Sequence, residues 1–228
     1  MHRGPANRFD AMPDTLRLLR QQGFAPAVVV DIGANVGTWT DMAHAVFAAR
    51  EYHIVEPQTA CHAALARFAP PRFIVHRLAL TSEGAASVRM VGTGPDGNTG
   101  AWVATAIVQE PTVEFPATSL DELLTGRLTP ADRPLLKLDV ECHELAVLGA
   151  GTAVLAAAEV VITEFQMYPI ENNGMPVLAD VIRFMTGRDF LLYDVAALAG
   201  RPRDGRMRRG DVVFVHRRSP LVADNRWV

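Results

Sequence analysis

Runs of consecutive apolar residues alternate with helical periodicity along much of the chain. The run "AVVVDIG", Ala27 to Gly33, is typical of a strand that is buried on both faces of a parallel sheet. The next segment, Thr38 to Ala49, places apolar residues at three- and four-residue spacing, which predicts an amphipathic helix. Because a glycine-containing turn joins the two, this part of the chain is predicted to be a βα unit.

The same alternation recurs and indicates seven strands in all. The later apolar runs are "YHIVEP", "RFIVHRLAL", "LLKLDV", "EVVITEF", "DFLLYDV" and "DVVFVHR". The last two are joined by a segment rich in Gly, Pro and Arg, as expected of an antiparallel pair. We therefore predict an α/β fold with a Rossmann-like, doubly wound, mostly parallel seven-stranded sheet, helices on both faces and an antiparallel strand at the end.

No internal repeat or low-complexity linker divides the chain, so a single domain over residues 1–228 is predicted. Residues 1–22 are interpreted as an N-terminal helical extension, because "PDTLRLLRQQ" carries its leucines on one helical side. Residues 84–118 consist of short alternating segments with many glycines, and we interpret them as an insertion of hairpins and loops. Directly after it, Ser119 and Glu122 stand at capping-box spacing, which predicts a helix start.

Composition and charge restrict the classes of partner. Hydrophobic residues make up 49% and charged residues 21% of the chain, as in soluble globular proteins. The formal charge of -3 argues against a broadly basic nucleic-acid surface, so no nucleic-acid partner is expected. The basic run Arg201 to Arg209 is interpreted as a solvated hairpin tip, with contact to an anionic partner as the alternative. Two cysteines, Cys61 and Cys142, are too few for a disulfide framework. Without a signal peptide or a run long enough for a membrane span, the protein is expected to be cytoplasmic.

Two predicted strands end in groups that suit a nucleoside-containing cofactor. The first ends in "DIGANVG", Asp31 to Gly37, and the second ends in "VEP", which contains Glu56. Ligands of such sheets bind at the carboxyl ends of the strands, where Glu56 can accept hydrogen bonds from both ribose hydroxyls of NAD or S-adenosylmethionine. The dinucleotide fingerprint needs glycines where this chain has Asn35 and Thr38, so NAD is disfavoured. S-adenosylmethionine has no phosphate, and the looser turn is enough for it.

Several segments occur in an order and at distances that are found together in one protein family. They are "GFAPAVVVDIGANVGTWT", "YHIVEPQ", "TSLDELL", "LLKLDVECHELAVLGAG" and "VVITEF". From about Gly23 to Ser219, the chain resembles the FkbM-type S-adenosylmethionine-dependent methyltransferases. The usual fourth-strand motif of that family reads acid-Val-Glu-Gly, whereas this chain has Cys142 at the position of the glycine, and a cysteine adopts positive φ less readily.

The resemblance implies an O-methyltransferase that transfers a methyl group to a hydroxyl of a sugar, glycolipid or polyketide-like natural product. A small hydroxylated molecule is therefore the expected substrate. The family pattern assigns the methionine side of the cofactor to Asp31, Gly33, Ala34, Asn35 and Gly37. It assigns the ribose to Glu56 and the adenine to the neighbourhood of Pro57, Leu78 and Ala79.

A group of ionisable residues follows the run "LLKLDV", and it is expected to remove the proton of the acceptor hydroxyl. His143 has the unperturbed pKa nearest neutrality, so it is the first candidate for the base. The other catalytic candidates are Asp139, Glu141 and Glu164. Cys142 is interpreted as a packing residue.

Two mechanisms stay open at this level. In the metal-free form, His143 or a carboxylate takes the proton directly. In the other form, Asp139, Glu164 and Asn172 hold Mg²⁺, which lowers the pKa of the acceptor. An NAD-dependent or sugar-nucleotide-binding Rossmann enzyme that uses the same Glu56 is the alternative from another class. The sequence specifies neither the acceptor nor the oligomeric state.

Overall fold

The computed structural model describes residues 6–94, 97, 99–105, 108–169, 176–224 and 226. The strands are β1 Ala6–Asp10, β2 Val28–Ile32, β3 Glu51–Val55, β4 Phe73–His76, β5 Ala79–Leu80, β6 Ser87–Val91, β7 Trp102–Val103, β8 Thr112–Thr118, β9 Leu135–Leu138, β10 Val160–Gln166, β11 Phe190–Gly200 and β12 Met207–His216. The α-helices are α1 Met12–Gln21, α2 Thr38–Val46, α3 His62–Leu65, α4 Leu120–Leu124, α5 Glu144–Gly149, α6 Thr152–Ala157 and α7 Leu178–Thr186. Strands and helices alternate over most of the chain, which confirms the predicted α/β class.

The main sheet has eight strands in the order β1-β11-β12-β10-β9-β2-β3-β4. β2, β3, β4, β9 and β10 are parallel to one another, whereas β12 is antiparallel to both of its neighbours. The prediction of seven strands with an antiparallel strand at the end was therefore wrong in two details. β12 lies inside the sheet, between β10 and β11, and β1 adds an eighth strand at the edge.

The eighth strand comes from the segment that was interpreted as purely helical. Residues 1–22 contain α1 as expected, but β1 precedes it and pairs antiparallel with β11, with Asp10 opposite Ala197. The five residues "ANRFD" show no alternation of apolar and polar positions. Because the pairing partner lies near the other end of the chain, local periodicity gives no sign of this strand.

Neighbouring residues of the central strands pack into two different cores. Val28 and Val30 of β2 pack with residues of α4, α5, α6 and α7, whereas Val29 packs with residues of α1 and α2 on the opposite face. Leu135 and Leu136 of β9 divide between the two cores in the same way. Because helices cover both faces, each central strand is a continuous apolar run in the sequence.

A second sheet has four short strands in the order β5-β8-β6-β7. β6 is antiparallel to β7 and β8, and β5 is parallel to β8. Ala79, Val88, Met90, Ala101 and Phe115 form a small core of their own. Residues 84–118 thus supply β6, β7 and β8.

None of the helices in the described part of the chain has both the length and the apolar character that crossing a membrane requires.

Candidate active site

Two adjoining clefts open at the carboxyl ends of the central strands. The first cleft lies between the ends of β2, β3 and β9 and the small sheet, and it has about 620 Å³ of free space. The second cleft lies between α2, the ends of β9 and β10, and the β11–β12 hairpin, and it has about 1140 Å³. Five residues line both clefts, namely Gly33, Asn35, Thr99, Asp139 and Glu141. A molecule in the first cleft would therefore meet a molecule in the second at Asp139 and Glu141.

The turn after β2 approaches the end of β9 very closely. Gly33 has a φ of +76°, and a Cβ at this position would lie 1.9 Å from the carbonyl oxygen of Asp139, so only glycine fits. Gly37 has a φ of +84°, and a Cβ there would lie 2.4 Å from the ring of Phe68. Gly37 lines neither cleft, so it serves the packing of the turn. Among the predicted methionine-side residues, Gly33 and Asn35 line both clefts, and Ala34 lines the second.

Glu56 is held in a fixed position at the first cleft. One carboxylate oxygen accepts a hydrogen bond of 2.7 Å from the backbone N–H of Asn35, and the other accepts one of 2.8 Å from that of Gln58. Burial raises the pKa of Glu56, and these two backbone hydrogen bonds oppose the rise. The Gln58 side chain also hydrogen-bonds to this carboxylate. A carboxylate has about four acceptor positions, so about one remains for a ligand in the cleft that Glu56 lines.

The predicted adenine region is partly at the first cleft. Pro57 and Ala79 line it, whereas Leu78 does not and packs against the larger core. Six apolar residues that line this cleft were not predicted from the sequence, namely Val55, Leu80, Met90, Ala101, Val103 and Val140. Three of these come from the region of β6 and β7, and only the folding of residues 84–118 brings them to the cleft. The many glycines of that region were a sign of irregular structure but not of its position.

Asp31 lies beneath the clefts and lines neither of them. It is 1% exposed, accepts a hydrogen bond of 2.6 Å from Thr40 Oγ1, and lies 3.5 Å from Lys137 Nζ. Lys137 Nζ is also 3.4 Å from Asp139 Oδ2. Burial lowers the pKa of Lys137, but the carboxylates of Asp139, Asp31 and Asp211 outweigh this effect and raise it, so the ammonium stays charged. Asp31 thus positions Lys137 below Asp139.

The carboxylates of Asp139, Glu141 and Glu164 converge in one cluster. Each offers an oxygen within 4.8 Å of the others, and all three line the second cleft. Arg209 Nη1 lies 3.2 Å from Glu141 Oε1 and 3.1 Å from Glu164 Oε1. Burial raises the pKa of both glutamates, and Arg209 partly opposes the rise. Arg209, which the sequence analysis did not select, is therefore a central member of this cluster.

The turn that carries the cluster has an unusual backbone. Glu141 and Cys142 both have positive φ, +49° and +72°, so Cys142 adopts the left-handed conformation that a glycine would favour. Glu144 is buried, and its Oε1 accepts a hydrogen bond of 3.0 Å from the backbone N–H of Val140, which closes the turn. Burial raises the pKa of the Cys142 thiol to about 12, which disfavours the thiolate that a nucleophile needs.

The structure does not bring His143 to either cleft. The side chain is buried, and its Nε2 lies 2.9 Å from Thr81 Oγ1. Burial lowers the pKa of His143, so the ring is neutral near pH 7. Because consecutive residues of the turn point in different directions, Glu141 faces the clefts while His143 faces the interior. Asn172, the third predicted metal ligand, lies outside the described residues.

The family model of the FkbM methyltransferase domain matches residues 31–192. The chain belongs to the FkbM methyltransferase family. The matched range contains both β-strand ends with Asp31 and Glu56 and the whole carboxylate cluster, whereas Arg209 lies beyond it. The comparison with curated proteins gave no match.

Solved structures that are similar to this FkbM-family chain have low sequence identity to it. A candidate hemolysin from Streptococcus thermophilus has a TM-score of 0.50 at 13% identity, covering 96% of this chain and 70% of that one. The 1,6-didemethyltoxoflavin-N1-methyltransferase of Burkholderia thailandensis, crystallised with 1,6-didemethyltoxoflavin and S-adenosylhomocysteine, has a TM-score of 0.48 at 13% identity, covering 90% and 78%. The candidate methyltransferase yhhF of Escherichia coli has a TM-score of 0.47 at 13% identity, covering 91% and 86%.

Proposed function

We propose that the chain is an S-adenosylmethionine-dependent O-methyltransferase that methylates a hydroxyl of a sugar, glycolipid or polyketide-like natural product. One observation carries the proposal, which is that the two clefts meet at Asp139 and Glu141. A donor in the first cleft and an acceptor in the second would be held side by side, as a direct group transfer requires.

The residues that line the first cleft fit S-adenosylmethionine in their chemistry. Glu56 retains an acceptor position for a ribose hydroxyl, and the side chains of Leu80, Met90 and Val103 offer apolar surface for a purine. When bound, this cofactor supplies a methyl group on a positively charged sulfur. The carboxylates of Asp139 and Glu141 have the opposite sign to that charge and line the region where the two clefts meet.

Glu141 is the proposed catalytic base. It lines both clefts, and burial raises its pKa, which makes it a stronger proton acceptor than an exposed carboxylate. Arg209, 3.2 Å from Glu141 and 3.1 Å from Glu164, would hold the Glu141 side chain in position. Asp139 would hold the acceptor hydroxyl from the other side of the shared region, supported from below by Lys137 at 3.4 Å.

A magnesium-dependent form of the same transfer is the alternative, and the convergence of Asp139, Glu141 and Glu164 favours it. Carboxylate oxygens are the ligands that Mg²⁺ prefers, and the ion would lower the pKa of an acceptor hydroxyl. Arg209 and Lys137 lie 3.1–3.4 Å from the same carboxylates and already compensate part of their charge, which favours the metal-free form. Loss of turnover with EDTA and its recovery with Mg²⁺ would decide for the metal.

Calorimetric titration with S-adenosylhomocysteine tests the cofactor assignment. We expect binding by the wild type and at least about tenfold weaker binding by Glu56→Ala, because a hydroxyl contact to a charged carboxylate is lost. The exposed Glu83→Ala provides the matched control and should bind like the wild type. Absence of binding to the folded wild type would contradict the proposal, and thermal stabilisation by NAD alone would favour the dinucleotide-binding class instead.

A further inference from the structure

An arginine-rich hairpin tip stands beside the opening of the second cleft. β11 and β12 remain paired up to Gly200 and Met207, and residues 201–206 form the tip. Arg209 pairs with Gln166, the last residue of β10, so the tip extends beyond the carboxyl edge of the sheet. Because Arg209 and Ala199 line the second cleft, the tip lies on the cleft side of the molecule.

Two of the five arginines in this hairpin have carboxylate partners. Arg201 pairs with Asp204 within the tip, and Arg209 pairs with Glu141 and Glu164 in the cleft. The other three, Arg203, Arg206 and Arg208, form no ion pair with any carboxylate in the described part of the chain.

These three arginines are also accessible to a ligand. Arg203 and Arg206 are exposed and Arg208 is half-buried. The Arg206 guanidinium lies 4.4 Å from the centre of the Tyr168 ring, a cation–π contact that stabilises the position of its side chain. In a chain of net charge -3, this concentration of positive charge is a local feature.

The interior of the second cleft has the opposite charge. Five acidic residues line it, namely Asp10, Asp139, Glu141, Glu164 and Asp211, and only Lys137 and Arg209 carry positive charge among the described lining residues. An acceptor that carries an anionic group would thus be attracted at the hairpin and repelled from the interior. This arrangement would direct the anionic group outward and a hydroxyl inward, toward Glu141.

We propose that the acceptor carries a phosphate or diphosphate group, and that Arg203, Arg206 and Arg208 bind it. This rests on the proposed function. Guanidinium groups match phosphate oxygens with paired N–H donors, so three of them on one hairpin suit a phosphate or diphosphate. Arg206 and Arg209 are three residues apart on an extended chain, about 10 Å. A sugar ring attached to a diphosphate spans such a distance, so its hydroxyl would reach the carboxylates. The diphosphate could belong to a nucleotide or to a lipid carrier.

Calorimetric titration with inorganic pyrophosphate tests the arginine site. The sample is the full chain, saturated with S-adenosylhomocysteine. We expect wild-type binding that weakens with added NaCl, and at least about tenfold weaker binding by the triple variant Arg203→Gln, Arg206→Gln, Arg208→Gln. The control triple variant Arg72→Gln, Arg183→Gln, Arg217→Gln removes the same charge from exposed positions elsewhere and should bind pyrophosphate like the wild type.

The outcomes separate the arginine site from the methyltransferase assignment. Equal pyrophosphate affinity in the wild type and the hairpin variant, or no binding to the wild type, would overturn the arginine site, whereas loss of S-adenosylhomocysteine binding would concern the cofactor assignment alone. Uridine diphosphate and phosphatidylglycerol vesicles serve as further probes. Tighter binding of uridine diphosphate than of pyrophosphate supports a nucleotide-linked acceptor. Co-sedimentation with the vesicles in the absence of pyrophosphate binding would mean that the hairpin contacts a membrane surface, and it would overturn the acceptor proposal.

Discussion

Consecutive side chains in the turn after β9 have different environments and therefore different chemistry. Glu141 faces both clefts, Cys142 is half-buried, and His143 and Glu144 are buried below the turn. Burial raises the pKa of Glu144 to about 8 and lowers that of His143, so burial keeps both in their neutral forms near pH 7. Of these four residues, only Glu141 combines access to both clefts with a carboxylate that can accept a proton.

Glu141→Gln should reduce methyl transfer by at least about 100-fold, because the amide cannot accept the acceptor's proton. His143→Gln should keep most of the activity, since a glutamine can retain a hydrogen bond to Thr81. Both variants should bind S-adenosylhomocysteine about as tightly as the wild type in calorimetry. If His143→Gln loses turnover and Glu141→Gln keeps it, the base is His143, as the sequence analysis first suggested.

Gly33→Ala should destroy the first cleft. A Cβ at Gly33 would lie 1.9 Å from the Asp139 carbonyl oxygen, so β2 and β9 would have to separate. We expect a loss of more than about 3 kcal/mol of unfolding free energy and no measurable cofactor binding. Gly84→Ala is the matched control, because Gly84 also has positive φ, +79°, but has no atom within 4 Å of the added Cβ. It should cost only about 1 kcal/mol. Similar denaturant midpoints for the two variants would contradict this explanation.

At the scale of whole elements, each cleft is closed by strands or helices that do not belong to the parallel part of the main sheet. The first is closed by the small sheet through Met90 and Val103, and the second is bounded by β1, α2 and the β11–β12 hairpin. The ends of the central strands β2, β3 and β9 provide polar groups where the two clefts meet. Under the proposed function, the surrounding elements would decide which acceptor can enter, as in other folds whose loops carry specificity.

Deletion of residues 1–10 removes β1 and should change binding in the second cleft while binding in the first cleft stays the same. β1 contributes Phe9 and Asp10 to the second cleft and no residue to the first. We expect unchanged affinity for S-adenosylhomocysteine and altered acceptor selectivity, with a thermal midpoint lower by only a few degrees, because β1 is a short edge strand. A tenfold weaker cofactor affinity in calorimetry would show instead that β1 supports the first cleft.

At the scale of the whole molecule, a pair formed by the buried His53 and the half-buried His76 links folding to pH. His53 Nδ1 lies 2.9 Å from His76 Nε2, and the rings stack with centroids 5.2 Å apart. Burial lowers the pKa of both side chains, that of His76 to about 4. Below the unfolded pKa near 6.5, the unfolded chain binds protons that the folded chain excludes. Stability from this pair is therefore lost as the pH falls from about 6.5 toward about 4, with no effect above that range.

His76→Gln should make unfolding less sensitive to acid. Between pH 7 and pH 5 the wild type should lose about 1 kcal/mol more unfolding free energy than the variant, allowing for the partial exposure of His76. Comparison of the two proteins separates the effect of His76 from that of Glu141, Glu144 and Glu164. The raised pKa values of these glutamates make the folded chain more stable as the pH falls, which is the opposite direction. Urea denaturation at several pH values measures it, and a constant difference between the two proteins would exclude this linkage.

Local sequence determined the elements that depend on nearby residues. The capping box predicted at Ser119 and Glu122 is present, with hydrogen bonds of 3.1 Å and 2.9 Å at the start of α4. The apolar runs predicted the central strands, because both faces of each strand are covered. The glycine turn and Glu56 predicted the location of the first cleft. Such features follow from dihedral preferences and periodicity over a few residues.

Tertiary structure alone decided the position of β1, the insertion of β12 between β10 and β11, and the direction of each side chain after β9. These depend on pairing between distant segments, such as Asp10 with Ala197 and Glu164 with Asp211. The meeting of Arg209 with Glu141, and the burial of His143 against Thr81, have the same origin. The sequence by itself thus determined the kind of fold and the place of its first cleft. The position of Glu141 at both clefts and the charge of the second cleft follow from contacts that no local pattern encodes.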